Sequence, residues 1–356
     1  MSQQPLENLN VTAFDLMPSP EEIHARVPLS EKASNTVYEG RETLKRILDH
    51  KDPRVFVVVG PCSIHDPIAG YDYAQRLKKL ADEVSETMVL VMRVYFEKPR
   101  TSTGWKGYVN DPRMDDSFHI EEGMEKARRF LIQIAELGLP AATEALDPIA
   151  PQYLGDLISW TAIGARTSES QTHREMASGL STPVGFKNGT DGGVDIAINA
   201  IKSAASPHSF LGINMQGRSA IVRTQGNPYG HVVLRGGSRG PNFDATSIAT
   251  IDATLTKAKV TQNVVVDCSH GNSLKDHNKQ SIVMADCIEQ ICAGNHRIVG
   301  LMLESNIEAG NQAIPSDLST LKYGCSVTDA CIDWPTTESL IRKAHADLKN
   351  GLHKSN

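Results

Sequence analysis

No stretch of the chain is apolar for anything near the ~20 residues that a membrane helix needs. The longest runs, such as Val55-Phe56-Val57-Val58-Val59, are of strand length, so no membrane partner is expected. The start, MSQQPLENLN, carries neither the basic stretch nor the apolar core of a secretory leader, which sets the expectation of a cytoplasmic protein. Cysteine is scarce and unpatterned. There are six in 356 residues with no CxxC pair, which fits a reducing compartment better than a disulfide scaffold. Positive charge is not in excess either: 36 Lys plus Arg face 42 Asp plus Glu, a net charge of -6, so nucleic acid is not an expected partner. The glycine-rich fingerprints GxGxxG and GxxxxGKS/T are missing, which leaves nucleotide binding without support. Fixed-period repeats are missing too. What remains, 40% apolar and 22% charged residues, is the composition of a globular enzyme with one large domain or two ordinary ones.

Short β-branched runs at 54–59, 88–93, 139–144, 161–166, 183–187, 231–235, 263–268 and 298–304 predict eight strands. Helical periodicity fills the intervals at 67–86, 121–137, 147–159, 169–180, 193–204, 244–258 and 275–293, and a last helix, 335–349, follows. This alternation favours an α/β fold, a (β/α)8 TIM barrel, over an open sheet. Residues 1–50 read as an N-terminal extension with a helix at 35–49, suited to oligomer or effector contacts. Residues 51–350 read as the barrel, with 208–225 as an inserted β-hairpin between helix 5 and strand 6.

What closes each run is informative. In order, the strand ends carry Cys62, Arg93, Glu144, Arg166, Lys187, Arg235, His270 and Glu304. Parallel strands all point the same way, so these side chains should gather on the C-terminal face, where barrel enzymes keep their chemistry. With Lys98 and Arg100, six cations converge in a chain that is acidic overall. A single arginine there more often pairs with a loop carboxylate. Six together point to a pocket for phosphorylated, carboxylated metabolites. Small residues before a Thr/Ser/Glu cap, in Gly164-Ala165-Arg166-Thr167-Ser168-Glu169, add backbone donors and a helix N-terminus.

Cys62, His270, Glu304 and Asp329 form a second constellation, from the ends of strands one, seven and eight and the loop beyond. One sulfur, one nitrogen and two carboxylates suit one divalent ion such as Mn, Fe, Co or Zn better than Mg or Ca. Each has a plainer reading alone: Cys62 as a buried thiol, Glu304 as partner of a ring cation, His270 as a loop histidine. Jointly they favour a metal.

Gly60-Pro61-Cys62-Ser63, Lys98-Pro99-Arg100-Thr101, Gly104-Trp105-Lys106-Gly107 and Gly164-Ala165-Arg166-Thr167 resemble type I 3-deoxy-D-arabino-heptulosonate-7-phosphate (DAHP) synthases. So do Gly185-Phe186-Lys187-Asn188-Gly189-Thr190, Leu234-Arg235-Gly236-Gly237, Asp267-Cys268-Ser269-His270-Gly271-Asn272 and Ser326-Val327-Thr328-Asp329, in order over nearly the whole chain. The resemblance implies a metal-dependent transferase that condenses phosphoenolpyruvate with erythrose 4-phosphate, the first step of the shikimate pathway. It implies Cys62, His270, Glu304 and Asp329 as metal ligands. It implies Arg93, Lys98, Glu144, Ala165, Arg166, Lys187 and Arg235 as the phosphoenolpyruvate site, with Pro99, Arg100 and Thr101 contacting erythrose 4-phosphate. Lys98, Glu144 and His270 are then the catalytic groups, with Lys98 as proton donor. The related 3-deoxy-octulosonate 8-phosphate synthases have Asn-Arg-Ser in place of Pro-Arg-Thr, so Pro99-Arg100-Thr101 favours the four-carbon sugar.

The same resemblance implies feedback inhibition by an aromatic amino acid at a site made by the extension and hairpin. Similar enzymes with serine at the Gly212 position tend to answer to phenylalanine and those with glycine to tyrosine, so tyrosine is favoured here. Asn8, Pro151, Gln152, Ser181, Phe210 and Gly212 are the expected effector residues, and a homodimer or homotetramer is expected. A barrel that only regulates should have lost a ligand or Lys98, and none is lost. A class II sugar-phosphate aldolase would show a His-rich metal site, whereas one His stands among the four ligands.

Overall fold

The computed structural model describes residues 6–100 and 103–352. Two helices come first, α1 (Pro20–Arg26) and α2 (Glu31–Leu48). There follow β1 (Val55–Gly60), α3 (Pro67–Val84), β2 (Met88–Arg93), α4 (Ile120–Leu137), β3 (Ala141–Glu144), α5 (Ala150–Leu154), β4 (Trp160–Ile163), α6 (Gln171–Gly179), β5 (Val184–Lys187) and α7 (Asp195–Ala204). The hairpin β6 (Ser209–Ile213) and β7 (Ser219–Arg223) precedes β8 (Gly230–Leu234), α8 (Ala245–Ala258), β9 (Val264–Asp267), α9 (Gln280–Cys292), β10 (Ile298–Glu304) and α10 (Trp334–Leu352). Eight parallel strands close in the order β1-β10-β9-β8-β5-β4-β3-β2, the expected (β/α)8 barrel. Among the described residues no helix is long and apolar enough to cross a membrane.

The period of two along each strand sorts side chains into two cores. On β1, Val55, Val57 and Val59 pack outward under the helices, whereas Phe56 and Val58 fill the barrel. Inside, Phe56, Trp160 and His231 pack ring on ring, with centroids 5.8–6.4 Å apart. Glycines make that room. Opposite Phe56 on the neighbouring strand stands Gly300, where a Cβ would lie 2.7 Å from the Phe56 ring, and one on Gly185 would lie 2.4 Å from Trp160.

Helix starts follow their caps. Ser19 and Glu22 make a reciprocal capping box on α1, and Ser30, Asp66, Ser170 and Asp244 cap α2, α3, α6 and α8. Two predicted helices are shorter than their periodicity. The 147–159 segment gives α5 and one 3-10 turn, because Asp147 accepts from the N–H groups of Ile149 and Ala150 and delays the start. The 275–293 segment becomes α-helical only at Gln280, after His270, Leu274 and Lys275 take left-handed backbone and His277–Lys279 make one 3-10 turn. The extension carries α1 as well as the expected helix. Buried Arg128 of α4 ties α1 down, donating to Val27 O, Tyr153 O and both oxygens of Asp156.

Candidate active site

Arg93, Glu144, Lys187 and Glu304 are the last residues of β2, β3, β5 and β10. Cys62, Arg166, Arg235 and His270 lie one to three residues beyond β1, β4, β8 and β9, so all eight gather at one rim. One cavity there is lined by Arg93, Lys98, Pro99, Arg100 and Glu144 from one side. Ala165, Arg166, Lys187, Arg235, His270 and Asp329 line the other. Thr101 lies outside the described residues.

Lys98 rides on a loop that doubles back after β2. Its backbone N–H donates to Lys106 O at 2.9 Å, and the crossing needs a glycine at 107, where a Cβ would sit 1.9 Å from Phe96 O. The ammonium donates to Cys62 Sγ at 3.1 Å. Burial works against its charge, but Cys62, Glu304 and Asp329 around it outweigh that and hold it above its ordinary value. Arg93 is buried, lies 3.6 Å over the Tyr95 ring and donates to Glu304 Oε1 at 3.0 Å. Arg166 donates to Pro99 O at 3.0 Å, and Arg100 to Trp105 O at 2.8 Å.

Cys62 Sγ, a Glu304 oxygen and an Asp329 oxygen lie within 4.8 Å of one another, a spacing that could hold a metal ion. His270 stands beside this trio, its Nε2 3.8 Å from Glu304 Oε1. The fit is chemical as well. A thiol and two carboxylates are grouped, with a thiol–carboxylate hydrogen bond of 3.6 Å between Cys62 and Asp329, and the His270 imidazole is a neighbour of the group through Glu304. Glu304 serves both readings, since it also pairs with Arg93.

Glu144 Oε1 is buried with no hydrogen-bond partner. It can lie there because residue 164 is glycine, whose Cβ would fall 2.3 Å from that oxygen. Glu144 also lines a second cavity of ≈ 450 Å³, on the side of α5 and the extension. Pro151, Gln152 and Ser181 line this second space with His24, Asp156 and Met215. Glu97 lines it as well; burial, with the charge of Asp147 added, pushes its carboxyl up to about 8. The other expected effector residues are not brought there within a single chain. Asn8 is exposed in left-handed backbone, and Phe210 and Gly212 stand on β6 outside the lining.

Sequence reasoning passed over the groups that hold this rim together. Asp267 ends β9 and accepts from Lys187 Nζ at 2.8 Å. Burial pushes its carboxyl up, but Lys187 and His270 more than reverse this and leave it well below the usual range. Three asparagines lace the loops. Asn188 accepts from Arg235 N at 2.8 Å, Asn242 from Gly236 N at 2.8 Å, and Asn272 from Asn242 N at 2.8 Å. Gly192, Gly236, Gly237 and Gly271 let those loops touch backbone to backbone; a Cβ on Gly237 would lie 2.1 Å from Gly192 N. The signal available was polar residues inside glycine-rich loops, which reads as turn chemistry.

Residues 27–342 match the DAHP synthetase I family. The chain is 53% identical over 352 residues to the Tyr-sensitive phospho-2-dehydro-3-deoxyheptonate aldolase of Escherichia coli (strain K12), covering 99% of each. It is 51% identical over 329 residues to the Phe-sensitive enzyme of that name from the same strain, covering 92% of this chain and 93% of the relative. Among solved structures, the phospho-2-dehydro-3-deoxyheptonate aldolase from Francisella tularensis SCHU S4 superposes with a TM-score of 0.93 at 47% identity. It covers 96% of this chain and 99% of that one.

Proposed function

We infer that this chain, which belongs to the DAHP synthetase I family, condenses phosphoenolpyruvate with erythrose 4-phosphate and water to give DAHP and phosphate, the first step of the shikimate pathway. One observation carries the reading: Arg93, Lys98, Arg166, Lys187 and Arg235 line one cavity with His270 and Asp329, and Asp329 is grouped with Cys62 and Glu304. Glu304 and Asp267 pair with Arg93 and Lys187, and the remaining positive charge in the cleft is met by two phosphates with one carboxylate.

Arg93, Ala165, Arg166, Lys187 and Arg235 hold phosphoenolpyruvate, while Pro99, Arg100 and Thr101 hold the sugar phosphate. Cys62, His270, Glu304 and Asp329 hold one divalent metal. When bound, that metal supplies a Lewis acid beside the aldehyde. C3 of the enol forms a bond to C1 of the aldose, and the carbonyl electron pair moves to oxygen. That oxygen takes the proton held on Lys98 Nζ. Water then adds to C2, and Glu144 Oε1, buried without a partner, accepts the proton it gives up. The new C2 hydroxyl then becomes the ketone: its oxygen forms the double bond to C2 as the C2–O bond to phosphate breaks, and its proton leaves with the inorganic phosphate. The proton from water balances the one Lys98 supplied.

The second cavity, of a volume usual for small-molecule sites, is the effector site, and tyrosine is the effector favoured by glycine at 212. Exposed apolar side chains on the extension (Leu6, Phe14, Leu16) and on the hairpin (Leu211, Ile221) support subunit contacts. A homodimer or homotetramer would bring these segments of one copy to the cavity of another.

Phosphate release from phosphoenolpyruvate tests the reading. Release should require erythrose 4-phosphate, stop on chelation and return with a divalent metal. Release without the aldose, or undiminished by a chelator, would overturn it. Repeating the assay with each aromatic amino acid tests the effector.

A further inference from the structure

The anion-binding and metal-binding halves of the rim meet at Glu304, through Arg93, and at a second buried carboxylate, that of Asp267 (1% exposed). Its Oδ2 faces Lys187 Nζ at 2.8 Å and His270 Nδ1 at 3.0 Å. Its Oδ1 accepts from Ser269 Oγ at 2.7 Å and from the Ser269 backbone at 3.1 Å. The backbone bends to make this possible: His270 sits at φ 58, and Lys275 N donates to His270 O at 2.7 Å, which turns the ring back towards β9. Nδ1 lies between Asp267 Oδ2 and, at 2.6 Å, Ser269 Oγ, the hydroxyl that itself donates to Asp267 Oδ1. Asp267 thus receives the imidazole both directly and through Ser269, and Nε2 is left on the side of Glu304. A histidine that serves a cation through one nitrogen needs an acceptor for the hydrogen on the other. A buried lysine that serves an anion needs a counter-charge while the anion is away. One side chain meets both needs.

We propose that Asp267 is a positioning residue that couples cation binding at Cys62, His270, Glu304 and Asp329 to anion binding at Lys187. The inference rests on the functional reading above. When an anion takes up the Lys187 charge, Asp267 is freed to hold His270 more firmly, so the imidazole becomes a better ligand. By linkage the effect is reciprocal: a cation on the His270 side tightens the hold on the anion. Direct attraction between the two ligands adds to this but does not pass through Asp267.

Calorimetric titration of Mn2+ into metal-free protein, with and without saturating phosphoenolpyruvate, separates these contributions. In the parent, phosphoenolpyruvate should tighten Mn2+ binding. In Asp267→Asn, Mn2+ should bind roughly 10–100-fold more weakly, as is usual when the partner of a ligating histidine is lost. The tightening by phosphoenolpyruvate should shrink too, a readout that simple loosening of the fold does not predict. Lys187→Met tests the same joint from the other side and guards against an unfolded first variant. With Asp267 left to His270 alone, Mn2+ should bind at least as tightly as in the parent, whereas structural damage would weaken it. Parental Mn2+ affinity and parental tightening in Asp267→Asn, or weakened Mn2+ in a folded Lys187→Met, would overturn the inference. A parent that binds neither Mn2+ nor phosphoenolpyruvate would instead overturn the functional reading.

Discussion

Lys98 owes its position to the crossed loop at Gly107 and its charge to the acidic surround of the rim. Lys98→Met keeps the stem and removes the donor. General acid catalysis typically contributes roughly 10²–10⁴-fold, so kcat should fall by that order while substrate binding changes far less. Steady-state kinetics decide it, and near-parental kcat would end the acid role. His231 offers a test of stability. Trp160 Nε1 donates to its Nε2 at 3.1 Å and its Nδ1 meets Tyr229 O at 3.1 Å, so the neutral ring is satisfied. Burial, only partly opposed by the Tyr229 carbonyl, lowers its pKa from 6.5 to about 4. The unfolded chain therefore takes up this proton first, and stability drains away as pH falls from 6.5 towards 4. The loss is on the order of 3 kcal/mol. His231→Gln, neutral throughout, should remove that share of acid sensitivity, read as the difference between the two pH profiles of denaturation midpoint. At this scale the sequence was legible where a charged or reactive residue closes an apolar run, as at Cys62, Arg93 and Glu304. Asp267 also closes such a run, but its pairing stayed hidden because its partner Lys187 lies on another strand, and no local pattern links them.

Among the elements, the hairpin β6–β7 is the one whose proposed role turns on a single position. Gly212 pairs with Ala220, and a Cβ there would lie 2.9 Å from Val222 Cγ2, a contact a small shift of Val222 can relieve. Gly212→Ser should therefore fold, retain catalysis and move inhibition towards phenylalanine. Inhibition curves for both amino acids give the answer, and a parent already more sensitive to phenylalanine would sink the tyrosine assignment. Strand centres were legible because β-branched runs are buried on both faces. Helix beginnings were less so: Asp147, and the left-handed residues His270, Leu274 and Lys275, override periodicity with local structure. The short α1 escaped because seven residues carry too little period, although Ser19, Pro20 and Glu22 were readable as a start.

For the whole molecule, the alternation of runs was enough to foresee a barrel. The lacing of its rim by Asn188, Asn242 and Asn272 was not, since it depends on loops brought together only when the sheet closes. The extension bears on assembly. Leu6, Phe14 and Leu16 are 77–96% exposed, an arrangement a lone chain in water does not favour. Removing residues 1–17 should yield a smaller particle by light scattering and blunt effector inhibition while phosphate release persists. An unchanged particle mass would show that these residues do not join copies. A sheet closed on itself has no rim strand to offer, since each of its eight members is flanked on both sides. The two-stranded ribbon is different: among the described residues, β6 and β7 each keep one flank without a ladder partner. Unwanted growth by strand addition, during synthesis or at high concentration, would have to begin on that ribbon.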